Sequence, residues 1–339
     1  MILSAPHADT LRFIPCGHSW VALHPQPKGI IQFIGGALFG TLPTISYHHF
    51  LRSLFEAGYT VVALPFRFIL NHWSMALNLL DEHYAVRVAM VELAIAQGYD
   101  PHIYLEASNY IWIGHGVGCK YILLLELLST PPFLLAESFA MLERKGKLLC
   151  SQQQQIERGL EIISRRLRLF ERQINQLVGV SIDFGQPSIM HEVSLLLAPA
   201  MGDMNAAIPV TSLHWLLSQF RGGYPSVDYT HQLIEHSQLF HLTGLIQFAR
   251  DRIAAGTCQR LMQEQPHLRR RLLQGDHLEP VGMRFGSLII DLNPFDKFIQ
   301  PLTQRNLESQ TLALLKRLQT PAPKVACPMT TRKPHSLAA

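Results

Sequence analysis

The sequence lacks the features that define several large classes of protein. None of its apolar runs reaches the roughly 18–20 residues that a membrane span needs, and its first residues have neither the basic region nor the apolar region of a signal peptide. Its five cysteines are scattered and include no C-x-x-C pair, so we expect neither disulfides nor a structural zinc site. We therefore predict a cytoplasmic protein with no membrane span.

Charge and metal-ligand patterns are also sparse. Only 16% of the residues are charged, and the formal net charge is +4. The arginines are not interleaved with aromatic residues and form no nucleic-acid-binding motif, so we expect no nucleic-acid partner. The 17 histidines form no H-E-x-x-H pair, and the adjacent His48 and His49 would point about 100° apart on a helix. We predict no metal and no cofactor.

What the sequence does contain is a regular alternation of strand and helix patterns. Two short strand patterns form a predicted hairpin near the N-terminus, and apolar runs follow that are typical of strands buried on both faces: 29–36, 59–66, 110–114 and 192–199. Amphipathic helical patterns separate them, one ending at Gly58 and one covering 74–97. This alternation predicts βαβ units and a mostly parallel central sheet with helices on both faces.

Two segments interrupt the alternation and are predicted to be helical cap insertions. The first contains a long polar helix, 151–177, with an apolar stripe at a/d heptad spacing: Ile156, Leu160, Ile163, Leu167, Phe170, Ile174 and Leu177. This stripe either lies on the protein's own body, which we favour, or contacts a protein partner. The predicted division is 1–130 and 237–319 for the two halves of the core, 131–190 for the first insertion, 191–200 for a core strand, 201–236 for the second insertion and 320–339 for a disordered tail.

The stretch "YIWIGHGVGCK", residues 110–120, has the form of a nucleophile elbow. In that motif, G-x-S-x-G, a sharp turn between a strand and a helix presents the serine. The central position here is Gly116, which has no side chain. Loss of a triad nucleophile typically lowers turnover by about 10⁶, so we expect no serine acyl-enzyme. Cys119 lies within the helix, and we do not expect it to replace the nucleophile.

The other members of a catalytic triad are predicted from chain order, since α/β-hydrolases place the nucleophile, the acid and the histidine in that sequence. Asp251 follows the strand pattern "GLIQFAR", and His277 lies in the loop "GDHLEP" after the next strand pattern. Asp203 is a rival for the acid, although we prefer Asp251. The turn after residues 29–36 would supply an oxyanion-hole N–H from Gly36 or Ala37, and Val117 would supply the other. The sequence thus predicts an α/β-hydrolase-like fold with helical cap insertions.

Three phrases also resemble a known family: "FIGGALFGTLPTISYHHFLRSLFEAGYTVVALPF", "WIGHGVGCKYILLLEL" and "LLQGDHLEPVG". They are similar to an uncharacterised family of cyanobacterial and plastid proteins, a domain of unknown function with an α/β-hydrolase-like fold, over about residues 10 to 290. The resemblance implies that serine often stands where this sequence has Gly116. It implies a fold and an origin, and it supplies no substrate.

Two hypotheses for the function follow, and we favour the first. The protein is a non-catalytic member that binds a small apolar or ester-like molecule, or a protein partner through 151–177. Alternatively, the His277–Asp251 dyad is a general base in a hydrolase-like or lyase-like enzyme, acting on water or an acidic C–H of an ester or lipid-like substrate. A third hypothesis is that Gly116 is a local departure within an esterase lineage.

Overall fold

The structure is a computed structural model that describes residues 11–66, 71–144, 150–190, 192–201, 230–232, 234, 242–290, 299–301 and 305–319. Its central sheet has eight strands: β1 (Ile14–Cys16), β2 (Ser19–Ala22), β3 (Ile30–Ile34), β4 (Thr60–Ala63), β5 (Tyr110–His115), β6 (Val193–Leu197), β7 (Gly244–Phe248) and β8 (Arg269–Leu273). They lie in the order β1-β2-β4-β3-β5-β6-β7-β8. β2 is antiparallel to both neighbours, and the other pairs are parallel.

Eight helices accompany this sheet in the described part of the chain: α1 (Pro43–Ser46), α2 (His48–Glu56), α3 (His72–Gln97), α4 (Val117–Leu128), α5 (Pro132–Arg144), α6 (Cys150–Val178), α7 (Ala255–Glu264) and α8 (Leu307–Gln319). α2 and α8 contact each other on one side, and α3 lies between α4 and α6 on the other. The parallel strands are apolar on both faces because helices cover both faces. The predicted α/β-hydrolase-like fold is confirmed.

The helix bounds follow from local capping as well as from apolar periodicity. α3 begins two residues before the predicted start because Asn71 accepts a hydrogen bond from the backbone N–H of Ser74 (3.1 Å). It ends at Gly98, which has a left-handed φ of 71° and closes the helix. The terminal helix begins at Leu307, later than the pattern at 301–319 predicted.

The apolar stripe of α6 lies against α3, as the favoured alternative predicted. Ile156, Ile163, Leu167 and Ile174 are buried. A Cβ on Gly159 would stand 2.6 Å from Leu77 Cδ1, so the small residue allows the two helices to approach closely. At the edges of the contact, Arg166 pairs with Asp81 and Gln173 donates to Glu92 (2.7 Å). Most of the heptad pattern therefore packs within this chain, whereas Leu177 at its end is exposed.

A small antiparallel sheet was not predicted. It comprises β9 (Met283–Phe285), β10 (Leu288–Ile290) and β11 (Ile299–Pro301). Such three-residue strands are too short to produce a periodic pattern. Of the predicted second insertion, the structure describes only 201, 230–232 and 234, and the predicted tail lies outside the described residues. The division into core and insertions stays a prediction.

No helix among the described residues is long and apolar enough to cross a membrane.

Candidate active site

The turn after β5 has the backbone geometry of an elbow. Gly116 has φ 55° and ψ −118°, a left-handed φ that favours glycine, and α4 begins at the next residue. Its N–H donates to Leu197 O (3.1 Å), while its carbonyl oxygen accepts from the N–H groups of Cys119 and Ala200 (both 3.2 Å). The turn is thus tied to the end of the neighbouring strand β6, which holds it at the carboxyl edge of the sheet.

The three glycines of the motif meet different surroundings. A Cβ on Gly118 would stand 2.2 Å from Ile34 O, and one on Gly114 would stand 2.8 Å from Cys119 N. These two positions exclude any side chain because strand and helix backbones touch there. A Cβ on Gly116 would meet nothing closer than His277 Nε2 at 3.4 Å and Gly36 Cα at 3.5 Å, which are ordinary contacts. The site therefore has room for a Cβ atom at 116, although the left-handed φ would strain any residue other than glycine there.

Asp251 and His277 lie together beside this turn. β7 and β8 are adjacent parallel strands, and the loops that follow them are joined by hydrogen bonds from Ala249 N to Leu273 O (2.9 Å) and from Arg250 N to Gly275 O (3.0 Å). The neighbouring loops bring His277 Nδ1 to 2.9 Å from Asp251 Oδ2.

Both oxygens of the Asp251 carboxylate accept hydrogen bonds. Oδ1 accepts the N–H groups of Ile253 (2.9 Å) and Ala254 (3.1 Å) before α7, so the residue also caps that turn. Its side chain is fully buried, whereas that of His277 is 15% exposed. Burial raises the pKa of Asp251, but the hydrogen bond and charge of His277, together with the two backbone N–H groups, outweigh it and lower the pKa below its ordinary value.

The dyad faces the empty position of the elbow. With Nδ1–H donated to the carboxylate, the lone pair of His277 lies on Nε2. That nitrogen is the atom nearest to a Cβ placed on Gly116. The arrangement therefore presents a base, oriented by a buried carboxylate, toward the space where a nucleophile would stand.

The two alternatives for the first oxyanion-hole donor are separated by a hydrogen bond. The N–H of Gly36 already donates to the hydroxyl of Tyr47 (2.7 Å), which favours Ala37 over Gly36 as the donor, and the assignment stays a prediction. Ala37 remains, and among the described residues the N–H groups of Ala37 and Val117 donate to no other group. Val117 is the first residue of α4, where an N–H has no partner within the helix.

Two further residues of the site were missed in the sequence. His115 and Tyr47 are buried side by side, with Nδ1 of His115 2.8 Å from the Tyr47 hydroxyl. Nε2 of His115 is 2.8 Å from the carbonyl oxygen of His277. The only signal for His115 was its place directly before Gly116, and Tyr47 carried no signal beyond its place in the helical pattern that ends at Gly58.

The other candidates for catalytic groups do not enter the site. Cys119 is buried, its Sγ donates to Gly114 O (3.1 Å), and burial raises the pKa of its thiol well above the ordinary value. That environment disfavours the reactive thiolate. Asp203 lies outside the described residues. Within those residues, no three His, Cys, Asp or Glu side chains converge as metal ligands.

The sheet order, the elbow and the dyad together define an α/β-hydrolase-like protein. Residues 15–132 match the model of a family described as a protein of unknown function, DUF1350. The resemblance to an uncharacterised family is confirmed over these residues, which include the elbow but not the dyad. No curated protein matches the sequence.

Three similar solved structures are distant from this chain in sequence. Esterase B from Lactobacillus rhamnosis, inhibited by a tributyrin phosphonate, is 11% identical with a TM-score of 0.47, covering 89% of this chain and 80% of its own. The carboxylesterase Cest-2923 from Lactobacillus plantarum WCFS1 is 13% identical with a TM-score of 0.44, covering 90% and 96%. Esterase Est2 from Thermogutta terrifontis is 11% identical with a TM-score of 0.41, covering 88% and 85%.

Proposed function

We propose that the protein is a hydrolase-type enzyme in which His277, oriented by Asp251, activates water for attack on an ester-like carbonyl group. No acyl-enzyme forms, because Gly116 provides no nucleophile. One observation carries the proposal: the dyad is assembled at 2.9 Å, and Nε2 of His277 faces the empty elbow position. This is the second of the three hypotheses that the sequence left open.

Each group of the site has a defined role in the proposed ester hydrolysis. Nε2 of His277 removes a proton from a water molecule, whose oxygen adds to the carbonyl carbon of the ester. The resulting oxyanion accepts hydrogen bonds from the N–H groups of Ala37 and Val117. When the tetrahedral intermediate collapses, the leaving alkoxide takes the proton from the imidazolium, which releases an acid and an alcohol. Asp251 holds the tautomer and stabilises the imidazolium throughout.

We expect slow turnover from this arrangement. Triad enzymes without their nucleophile retain about 10³–10⁴ over the reaction in water from the oxyanion hole and substrate binding. A base aimed at water adds to that figure only if a water molecule occupies the gap at 116. The substrate we expect is small and apolar, with an ester or similarly reactive carbonyl.

The empty elbow itself favours the non-catalytic hypothesis as a second candidate. The N–H groups of Ala37 and Val117 can bind the carbonyl oxygen of a ligand without any reaction. In that case Asp251 and His277 serve only to cap α7 and to close the loop after β8, and the same ligand class binds without turnover. The third hypothesis, that Gly116 is a local departure within an esterase lineage, also leaves the position without a nucleophile.

The experiment compares the wild type with His277→Ala on p-nitrophenyl acetate and p-nitrophenyl octanoate. We expect kcat/KM to fall by about 10²-fold or more, since a positioned base contributes about 10²–10⁴. The matched control is His102→Ala. His102 also pairs with an aspartate, Nδ1 to Asp100 Oδ1 at 2.8 Å, but its side chain is 62% exposed and it precedes the start of β5, at the opposite edge of the sheet.

Equal rates in the wild type, His277→Ala and His102→Ala would refute the enzymatic proposal. Saturable binding of a non-hydrolysable ketone analogue, with no turnover of either ester, would instead support the binding protein. The control matters because an exposed imidazole also acts as a base toward activated esters.

A further inference from the structure

A buried chain of hydrogen bonds joins the loop after β3 to the loop that carries His277. It runs from the N–H of Gly36 to the Tyr47 hydroxyl (2.7 Å), on to Nδ1 of His115 (2.8 Å), and from Nε2 of His115 to the carbonyl oxygen of His277 (2.8 Å). Tyr47 is completely buried and His115 is 1% exposed. The chain therefore lies beneath the elbow, out of reach of solvent.

The donors in this chain can be assigned without ambiguity. A carbonyl oxygen only accepts, so Nε2 of His115 carries the proton and Nδ1 is the acceptor. The Tyr47 hydroxyl consequently donates to Nδ1 and uses its oxygen to accept from Gly36. Burial, with the nearby His277, lowers the pKa of His115 to about 3, which keeps its ring neutral.

The hydrogen-bonded chain also fits tightly around the turn after β3 that carries Gly36 and Ala37, here called the oxyanion loop. A Cβ on Gly36 would stand 3.0 Å from His115 Nδ1 and 3.2 Å from the Tyr47 hydroxyl. Because the hydroxyl takes the N–H of Gly36, that N–H is occupied, whereas the N–H of Ala37 has no acceptor among the described residues. The hydrogen-bonded chain thus leaves the amide of Ala37, rather than that of Gly36, available.

We propose that Tyr47 and His115 are positioning residues. They hold the oxyanion loop and the base loop, which is the loop after β8 that carries His277, at fixed positions relative to the elbow. This inference rests on the proposed function, because it assigns the two residues to that same site. Neither residue touches the substrate. Tyr47 directs the Ala37 N–H toward the oxyanion, and His115 fixes the backbone of His277 so that its ring faces position 116.

The first arm of the test uses Gly116→Ser as a common background and measures the rate of labelling by a fluorophosphonate. Adding Tyr47→Phe should lower this rate by at least about tenfold, since small displacements of reacting groups can cost about 10²-fold. The matched control is Tyr110→Phe: Tyr110 is equally buried and its hydroxyl donates to Tyr104 O (2.9 Å), but it begins β5 at the far end. Both tyrosine variants should lower Tm by a few degrees.

The second arm replaces His115 in the same background. His115→Gln keeps a donor and an acceptor on one side chain, whereas His115→Leu keeps neither. We expect the glutamine variant to retain more labelling than the leucine variant. Equal losses in Tyr47→Phe and Tyr110→Phe, or equal losses in the two His115 variants, would overturn the inference and leave these residues as packing alone.

The third arm needs no activity at all. Two-bond ¹H–¹⁵N spectra of the wild type should show His115 neutral and protonated on Nε2, and Tyr47→Phe should shift its Nδ1 signal. A His115 ring that is charged at pH 7 or protonated on Nδ1 contradicts the chain. If the wild type and His277→Ala hydrolyse both esters at equal rates while His115 shows the expected tautomer, the proposed function fails and the hydrogen-bonded chain stands.

Discussion

Gly116→Ser is the substitution that the geometry of the elbow makes most informative. The new Cβ would meet His277 Nε2 at 3.4 Å and Gly36 Cα at 3.5 Å, so no neighbour has to move. The cost comes from the backbone, since φ 55° with ψ −118° is a conformation that residues with a side chain rarely adopt. Such strain amounts to about 1–3 kcal/mol, and we expect the free energy of unfolding to fall by that amount in urea titrations.

The same substitution should create a nucleophile. The introduced hydroxyl would lie within hydrogen-bond reach of His277, and we expect covalent labelling by a fluorophosphonate that the wild type does not show. Gly98→Ser is the matched control: Gly98 has φ 71°, nothing lies within 4 Å of its Cβ position, and it ends α3. It should cost about 1–2 kcal/mol and create no labelling. A destabilised Gly116→Ser protein that folds but stays unlabelled would refute the assembled site.

Three further predictions concern the framework of the site. Gly118→Ala should lower the free energy of unfolding by about 3 kcal/mol or more in denaturant titrations, because the methyl group would overlap Ile34 O. The control Gly256→Ala, in α7 with nothing within 4 Å of its Cβ position, should raise it by about 0.5–1 kcal/mol. Similar effects of the two substitutions would contradict the close contact between strand and helix. The lowered pKa of Asp251 means that its carboxylate stabilises the fold above the unfolded-state pKa near 3.9 and loses this effect as pH falls through the folded-state pKa. Asp251→Asn should therefore have a flatter dependence of Tm on pH below about pH 5, and parallel profiles would argue against the ion pair. Ile163→Ala should lower the free energy of unfolding by about 2–5 kcal/mol with no change in oligomeric state by light scattering. The control Ile162→Ala should change it very little, because Ile162 is 55% exposed. An oligomer that dissociates in Ile163→Ala would show that the apolar stripe of α6 is an interface between copies.

The chain order of the site could be predicted because each member marks the end of a strand. The runs at 29–36 and 110–114 are long and apolar, and the loops at Asp251 and His277 follow strand patterns, so topology alone places all four at one sheet edge. The β7–β8 pairing then brings the last two within hydrogen-bond distance. Pattern and fold class were sufficient for this part.

The supporting contacts could not be predicted because they join residues far apart in the chain. Tyr47 and His115 are separated by 68 residues, and His115 reaches a backbone atom 162 residues further on. Nothing in local periodicity distinguishes a buried tyrosine that only packs from one that donates a hydrogen bond. For the same reason the choice between Gly36 and Ala37 needed the hydroxyl of Tyr47, which occupies one of the two amides.

The central claim is that water activated by His277 attacks the substrate without a covalent intermediate. Stopped-flow release of p-nitrophenol from p-nitrophenyl acetate at micromolar protein tests it most directly, because an acyl-enzyme that accumulates gives an initial burst equal to the enzyme concentration. We predict a linear time course for the wild type, with no burst, and a slope about 10²-fold lower in His277→Ala. A stoichiometric burst in the wild type, or a slope that His277→Ala leaves unchanged, would contradict the account.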